Sequence, residues 1–225
     1  VVLALGGPGS GKSRWIAEAA LEARLRGLRV AAWSEPTSGA PFGAWVAALP
    51  ELALPLAALA PQLDPGSSLR ALDALAGHVL AAAAASPLAL VLDDLDRAGP
   101  EDRALAALLA RRLSRGDPAL VLFAAASATH ELALGLDVTT LSLGDVPSAA
   151  LPDLLRAAVG PVAHGEAALL AEVARRGGGN PGLVDATLRD LAARGALVAG
   201  PTGAAYDPAA AFAHGPADGH GGAQS

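Results

Sequence analysis

The feature that most constrains the fold is a short apolar run that ends in a cluster of glycines. Residues 1–5 are apolar throughout, and the next eight residues read Gly-Gly-Pro-Gly-Ser-Gly-Lys-Ser. After them, charged residues recur at every fourth position: Arg14, Glu18, Glu22 and Arg26. That spacing places them on one solvent-facing side of an α-helix. The sequence therefore predicts a strand, a glycine-rich loop and a helix in immediate succession.

The eight residues of the loop fit a phosphate-binding loop at every required position. Glycines let the backbone wrap with its N–H groups pointing inward, and the following helix directs its positive end at the same anion. Lys12, the only lysine of the chain, is expected to reach the β- and γ-phosphates of a nucleotide, and the Ser13 hydroxyl to bind Mg²⁺. A glycine-rich surface turn is the alternative. The predicted nucleotide-binding residues are Gly6, Gly7, Pro8, Gly9, Ser10, Gly11, Lys12, Ser13 and Arg14.

A second candidate site follows the apolar run Leu88–Leu92, where Asp93 and Asp94 stand side by side. A strand that is buried on both faces reads as a continuous apolar run, and its end would bring Asp93 beside the phosphate loop to hold the water shell of Mg²⁺. Asp94 would then polarise an attacking water. Lys12 and Asp94 are thus the predicted catalytic residues, and Ser13 and Asp93 the predicted metal ligands. A solvated turn after a strand is the alternative.

The first two-thirds of the chain alternates apolar runs with helical patterns, which is typical of a parallel sheet packed between helices. The predicted strands are residues 1–5, 28–33, 88–92, 120–125 and 138–143. Helices are predicted over residues 13–26, from Ser67 or Ser68 through an apolar face that includes Leu75, and from Pro100 onward. The six prolines between Pro36 and Pro65 allow only short helices there.

After Gly144 the pattern becomes purely helical, with helices predicted over residues 148–159, 165–176 and 183–194. The fold class is therefore α/β, a three-layer core with a parallel sheet over residues 1–144, followed by a small helical lid over residues 145–195. Residues 196–225 are expected to begin a further domain or to form a disordered tail, with a hairpin at its start. Because the chain starts with Val1 inside a strand and contains no Met, we expect a fragment of a larger protein.

Composition excludes several classes of function. The chain has no cysteine, so disulfides and thiolate metal sites are excluded, and its five histidines lack the spacing of metal ligands. Its net charge is −6 and its arginines are scattered, so no basic face for nucleic acid is predicted. No apolar stretch reaches the ~18 residues that a membrane span needs. We therefore expect a cytoplasmic protein without membrane contact. Asp96 and Asp102 are expected to be surface charges.

The order of these motifs resembles an AAA+-related ATPase, with a Walker A loop, a Walker B strand that ends in two aspartates, two more strands and a helical lid. More narrowly, it resembles the STAND signalling ATPases, which occur in large LuxR-type transcriptional activators and beside bacterial kinase and nucleotide cyclase domains. Gly178-Gly179-Asn180-Pro181-Gly182 is similar to the Gly-Asn-Pro element of that family, in which the proline packs near the adenine. The resemblance thus implies a nucleotide contact for Pro181. A helix-capping turn is the alternative.

The chain also departs from the family pattern. The aromatic residue that usually follows the two aspartates is absent, with Asp96-Arg97-Ala98-Gly99 in its place. After the fourth strand no clear sensor residue stands out. The candidates there are Ser127, Thr129 and His130.

The resemblance implies that the chain binds ATP with Mg²⁺ and hydrolyses it slowly, as a nucleotide-controlled switch in signal transduction or transcription regulation. The implied partners are ATP and ADP, effector domains of the same polypeptide and a second copy in nucleotide-dependent self-association. Arg111, Arg112 or Arg115 would serve a neighbouring subunit as an arginine finger, or would simply favour the end of their helix through its dipole. A small-molecule kinase and a non-hydrolysing nucleotide-binding scaffold are the alternatives.

Overall fold

Five parallel strands form the sheet of the first of two structural units, Val1–Leu143 and Gly144–Ser225. The computed structural model describes residues 1–33, 42–45, 68–113, 120–127 and 138–212. The strands are β1 (Val2–Gly6), β2 (Arg29–Trp33), β3 (Leu88–Leu92), β4 (Leu120–Ala126) and β5 (Thr139–Leu143). Their order across the sheet is β2-β3-β4-β1-β5, and every neighbouring pair is parallel. All five predicted strands are therefore confirmed, with bounds that differ by at most one residue.

Three helices of this unit cover the two faces of the sheet, which gives three layers. They are α1 (Lys12–Leu25), α2 (Ser68–Ala85) and α3 (Pro100–Arg112), with a short 3₁₀ turn at Leu95–Arg97. Because successive side chains of a strand point to opposite faces, Ala4 packs with Ile16 of α1, whereas Leu3 joins Leu75 and Leu105 of α2 and α3. The predicted three-layer α/β fold is confirmed.

Local sequence explains where α3 begins and ends. Gly99 is extended at the N-cap and Pro100 occupies the first helical position, where its missing N–H has no cost. Acidic residues stand in the first turn and Arg111 and Arg112 in the last, as the helix dipole favours. The proline-punctuated stretch upstream lies almost wholly outside the described residues.

The second unit mixes helices with a small sheet. Its elements are α4 (Leu151–Val159), β6 (Val162–His164), α5 (Glu166–Gly177), α6 (Pro181–Ala193), β7 (Leu197–Gly200), β8 (Gly203–Tyr206) and α7 (Pro208–Phe212). The three strands are ordered β6-β8-β7, and β7 and β8 form the predicted hairpin.

Two expectations about the second unit are wrong. The unit is not purely helical, because strand β6 follows α4 in the chain and pairs with β8. The sequence did not reveal β6 because a strand of three residues is too short to show an alternating pattern. The hairpin does not begin a further domain, because Leu197 and Tyr206 are buried in the same core as Leu169 and Leu188 of the helices. Residues 208–212 form a helix, and the rest of the expected tail lies beyond the part of the chain that the structure describes.

None of the helices in the described part of the chain is both long enough and apolar enough to span a bilayer.

Candidate functional site

The glycine-rich loop joins the end of a buried strand to the start of a helix. Gly6 is the last residue of β1 and is buried, while Gly7 is exposed and its carbonyl accepts a 3.3 Å hydrogen bond from the backbone N–H of Ser10. Gly11 caps α1 in the left-handed conformation, with φ of 92°, and Lys12 is the first residue of the helix. The predicted strand, loop and helix are thus confirmed in their predicted order.

Gly6 holds its place because nothing larger fits there. A Cβ at this position would lie 2.6 Å from the backbone oxygen of Leu143 and closer still to the Ser10 hydroxyl. The Ser10 Oγ is itself buried, and no described residue forms a hydrogen bond with it. The wall behind the loop therefore accepts only glycine, which keeps the loop close against β5.

The start of α1 is open to an anion. No described side chain caps this end of the helix, and its first turn carries no acidic residue. The first N–H groups of a helix have no partner within the helix, and the helix dipole makes this end positive. A phosphate group is the kind of ligand that such an end binds.

Lys12 places its charge at the same spot. Its Nζ donates hydrogen bonds of 2.9 Å to the backbone oxygens of Gly6 and Gly7. The ammonium group is thus folded back over the loop, where a phosphate would compete with two neutral carbonyls for it. Ser13, the next residue, is exposed. Arg14 is 83% exposed and forms an ion pair with Glu18, so its predicted nucleotide contact stays a prediction.

Asp93 directly follows β3 and is 7% exposed. Strand β4 lies between β3 and β1, so these two strands run two strand spacings apart, roughly 9–10 Å. Through Ala124 of β4, the end of β3 at Leu92 is level with Leu3, three residues before β1 ends at Gly6. Both strands end at the same edge of the sheet because all of them are parallel. Asp93 therefore stands at the edge that carries the loop, as the sequence predicted.

Asp94 has an unusual backbone conformation. Its φ of 48° is left-handed, a region that a non-glycine residue enters at some cost but that Asp tolerates better than most. Its backbone oxygen accepts a 2.8 Å hydrogen bond from the N–H of Arg97, and its Oδ2 lies 3.4 Å from Nη1 of the same arginine. The second aspartate is thus held in a tight turn and faces a cation.

The donor set fits magnesium. A serine hydroxyl and a carboxylate are hard oxygen ligands, which Mg²⁺ prefers, and this ion is usually held by one or two carboxylates together with waters and substrate phosphates. Ser13 lies in the first turn of α1 and Asp93 directly follows β3, so the predicted pair supplies this kind of set. In the described part of the chain no three acidic or histidine side chains form a metal-binding group.

Asp102 corrects one expectation. It was expected to be a surface charge, yet it is 1% exposed, on the first turn of α3. Its carboxylate accepts a 3.4 Å hydrogen bond from the backbone N–H of Trp45. Burial raises the pKa of the Asp102 carboxyl, while hydrogen bonds from the backbone of Trp45 and Ala44 oppose the shift. The partners of Asp102 come from the proline-rich stretch, whose sequence has no readable period. Asp96, the other expected surface charge, is partly buried.

Sequence reasoning also missed Trp33, which it treated only as the end of a strand. Its indole N–H donates a 2.8 Å hydrogen bond to the backbone oxygen of Asp93. Trp33 is the last residue of β2, and β2 lies beside β3, which precedes the two aspartates. Its position at the end of a predicted strand was the one feature of the sequence that could have marked it.

The remaining candidates fall in three places. Ser127 follows β4 at the same edge of the sheet, whereas Thr129, His130 and Arg115 are not among the described residues. Arg112 forms an ion pair with Asp73 of α2.

Pro181 is the first residue of α6, in the second unit. Asn180 caps that helix by accepting hydrogen bonds of 3.1 and 3.2 Å from the N–H groups of Gly182 and Leu183. Gly178–Gly182 therefore forms the helix-capping turn that was the alternative interpretation of this sequence. The adenine contact of Pro181 stays a prediction.

Comparison with known proteins agrees with this geometry. The family model described as AAA ATPase domain matches residues 1–122, more than half of the chain. The match includes the glycine-rich loop, α1 and both aspartates after β3. No curated protein matches the chain.

Proposed function

Because the chain belongs to the AAA ATPase domain family, we propose that it binds ATP with Mg²⁺, hydrolyses it slowly and serves as a nucleotide-controlled switch within a larger signalling or transcription-regulating protein. One observation carries the proposal. Lys12 and Ser13 begin a helix that follows a strand and a glycine-rich loop, and Asp93 directly follows another strand at the same edge of the sheet.

Each of these residues has a role that its surroundings support. When bound, ATP supplies the phosphoanhydride bond and Mg²⁺ offsets the charge of its phosphates. The loop and the first turn of α1 bind phosphate oxygens through backbone N–H groups. Lys12 exchanges the carbonyls of Gly6 and Gly7 for the β- and γ-phosphates. Ser13 and Asp93 hold the metal.

Slow rather than fast turnover is supported by the surroundings of Asp94. This residue is the candidate for orienting the attacking water, yet its carboxylate lies beside the guanidinium of Arg97. The guanidinium competes with a water for the carboxylate oxygens. Aspartate is also shorter than glutamate, so it reaches less far from the turn. Both features favour binding over rapid hydrolysis.

A switch requires that the nucleotide binds two conformations unequally, because a ligand with equal affinity for both shifts nothing. We infer that the second unit provides the moving part, with Pro181 at the start of α6 as the residue that senses the base. Signalling to effector domains and nucleotide-dependent self-association belong to this proposal.

Two measurements test the proposal. Isothermal titration with ATP, with and without Mg²⁺, gives the affinity. Phosphate release and ADP formation are then followed together, with and without candidate acceptor molecules. We expect measurable binding, with equal and slow formation of phosphate and ADP. ADP formation that exceeds phosphate release in the presence of an acceptor would instead indicate a kinase. Binding without either product would indicate a scaffold, and no binding would overturn the proposal.

A further inference from the structure

One of two buried tryptophans that pack together contacts the backbone of Asp93. Trp33 ends β2 and Trp45 belongs to the short described stretch 42–45; their rings meet edge to face, with centroids 5.0 Å apart and planes at 83°. Both side chains are fully enclosed in the larger core. Of these two residues, Trp33 forms hydrogen bonds with Asp93, the candidate metal ligand.

Trp33 binds both backbone polar groups of Asp93, its N–H and its carbonyl. The backbone N–H of Asp93 donates a 3.3 Å hydrogen bond to the oxygen of Trp33, and the indole N–H of Trp33 donates a 2.8 Å hydrogen bond to the oxygen of Asp93. The regular ladder between β2 and β3 ends at the pair Trp33 and Leu92. The carbonyl of Asp93 lies one residue past that pair, and among the described residues the indole N–H of Trp33 binds it.

We propose that Trp33 is a positioning residue for Asp93. The proposal rests on the proposed function, because it concerns the aspartate that would hold Mg²⁺. A carboxylate that binds a metal acts only if its backbone is fixed, since a small rotation of the peptide swings the carboxylate away from the ion. The indole hydrogen bond fixes the peptide group between Asp93 and Asp94.

The orientation of the indole is itself determined. The ring of Trp45 packs edge-on against it, and Trp45 is anchored to α3 through Asp102. The indole N–H of Trp45 donates a 3.0 Å hydrogen bond to the backbone oxygen of Asp102, and its backbone N–H donates to the Asp102 carboxylate. Trp45 therefore restricts the position of the Trp33 ring, and Trp33 in turn restricts the backbone that follows β3.

The test compares two substitutions that each remove one buried indole N–H and retain an aromatic ring. Trp33→Phe loses the hydrogen bond to Asp93, whereas Trp45→Phe loses the hydrogen bond to Asp102 and keeps a ring against Trp33. For each protein, ATP affinity is measured with and without Mg²⁺. We expect Trp33→Phe to lose roughly two- to tenfold of the gain in affinity that Mg²⁺ gives, the range of one net hydrogen bond. Its affinity without Mg²⁺ should stay within about twofold of the wild type.

The matched variant decides between positioning and general packing. Trp45→Phe removes the anchor of the neighbouring ring but leaves the indole hydrogen bond of Trp33 in place, so it should keep more of the magnesium gain than Trp33→Phe. If both variants lose it equally, the effect belongs to core packing and the proposal is wrong. If Trp33→Phe keeps the full gain, the indole does not position Asp93. A wild-type protein that binds ATP with no magnesium gain would refute the metal role of Asp93 itself, and one that binds no ATP would refute the proposed function.

A second measurement needs no substitution at the site. With ¹⁵N-labelled indoles, the Trp33 resonance can be followed in the wild-type protein, and the Trp45→Phe spectrum helps to assign it. Coupling between two sites is reciprocal, so a metal that uses Asp93 must also stabilise the Trp33 hydrogen bond. We expect a non-hydrolysable ATP analogue with Mg²⁺ to slow hydrogen exchange of this N–H several-fold more than the analogue alone. An equal rate in both states would overturn the proposal even if Trp33→Phe fails to fold.

Discussion

The backbone N–H of Asp94 donates a 2.9 Å hydrogen bond to Oδ1 of Asp93. The bond ties the rotamer of the first carboxylate to the left-handed backbone of the second. The two neighbours are consequently unlike in their surroundings, because Asp93 is buried whereas the side chain of Asp94 is 31% exposed beside a guanidinium. Substitutions at these two positions should therefore separate metal binding from turnover.

Lys12→Ala should weaken ATP binding by roughly ten- to a hundredfold, because a hydrogen bond to a charged group contributes about 1.5–3 kcal/mol. Titration with a fluorescent ATP analogue measures the change. Arg26→Ala is a matched control, since it removes one positive charge beyond the far end of the same helix, from an exposed ion pair with Glu22. Equal affinity in the wild type and Lys12→Ala would rule out the phosphate-loop assignment.

Asp93→Ala should chiefly remove the benefit of magnesium. The residue is proposed to orient the water shell of the metal, so ATP affinity without Mg²⁺ should change little while the gain on adding Mg²⁺ is lost. The comparison is the ratio of the two affinities in each protein. A variant that keeps the wild-type ratio would reduce Asp93 to a residue of the turn.

Asp102→Asn should change how stability depends on pH. Burial raises the pKa of the Asp102 carboxyl above its ordinary value of 3.8. The folded state then binds the proton more tightly than the unfolded chain, so this group lowers the free energy of unfolding as pH rises from near 3.8 to the raised pKa. Below that window the carboxyl is protonated in both states and contributes no slope.

Asparagine removes the titration and keeps an oxygen that can accept the N–H of Trp45. Urea denaturation of both proteins across the acid range measures the slope. We expect the difference in stability to grow in favour of Asp102→Asn as pH rises through the window and then to stay constant. Parallel curves would show that the carboxyl of Asp102 does not titrate abnormally in the folded protein.

Much of the first unit could be predicted from local patterns. The loop between β1 and α1 was predictable because its constraints are local: a turn in which the N–H of Ser10 bonds the oxygen of Gly7, a left-handed Gly11, and a helix that starts at Lys12. The end of β3 was predictable because a strand buried on both faces reads as an apolar run. In these cases the neighbours in sequence are also the neighbours that decide the conformation.

The burial of Asp102 and the contact of Trp33 with Asp93 could not be predicted in this way. Trp45 and Asp102 are 57 residues apart, and Trp33 and Asp93 are 60 residues apart. An acidic residue in the first turn of a helix is ordinary on a surface, so nothing local marks Asp102 as buried. Its partner is a stretch without a period, and only the tertiary fold brings the two together. Strand β6 was missed for a different reason, since it is too short to show alternation.

The last prediction concerns turnover. The chain should bind ATP but hydrolyse it well below the ~10 s⁻¹ that is the median for enzymes. Asp94 is a short acid, and its carboxylate lies beside the guanidinium of Arg97. Binding should still register as a thermal shift, because ligand at about 100 times its Kd adds about 2.7 kcal/mol of stability.

Asp94→Asn should keep that shift and abolish the residual phosphate release, since asparagine tolerates the left-handed backbone at this position while it cannot act as a base. Asp96→Asn, a carboxylate two residues away in the same turn, is the control that should retain turnover. Fast hydrolysis by the monomer would contradict the switch and indicate a self-sufficient enzyme, whereas unchanged slow hydrolysis in Asp94→Asn would move the water-orienting role to another residue.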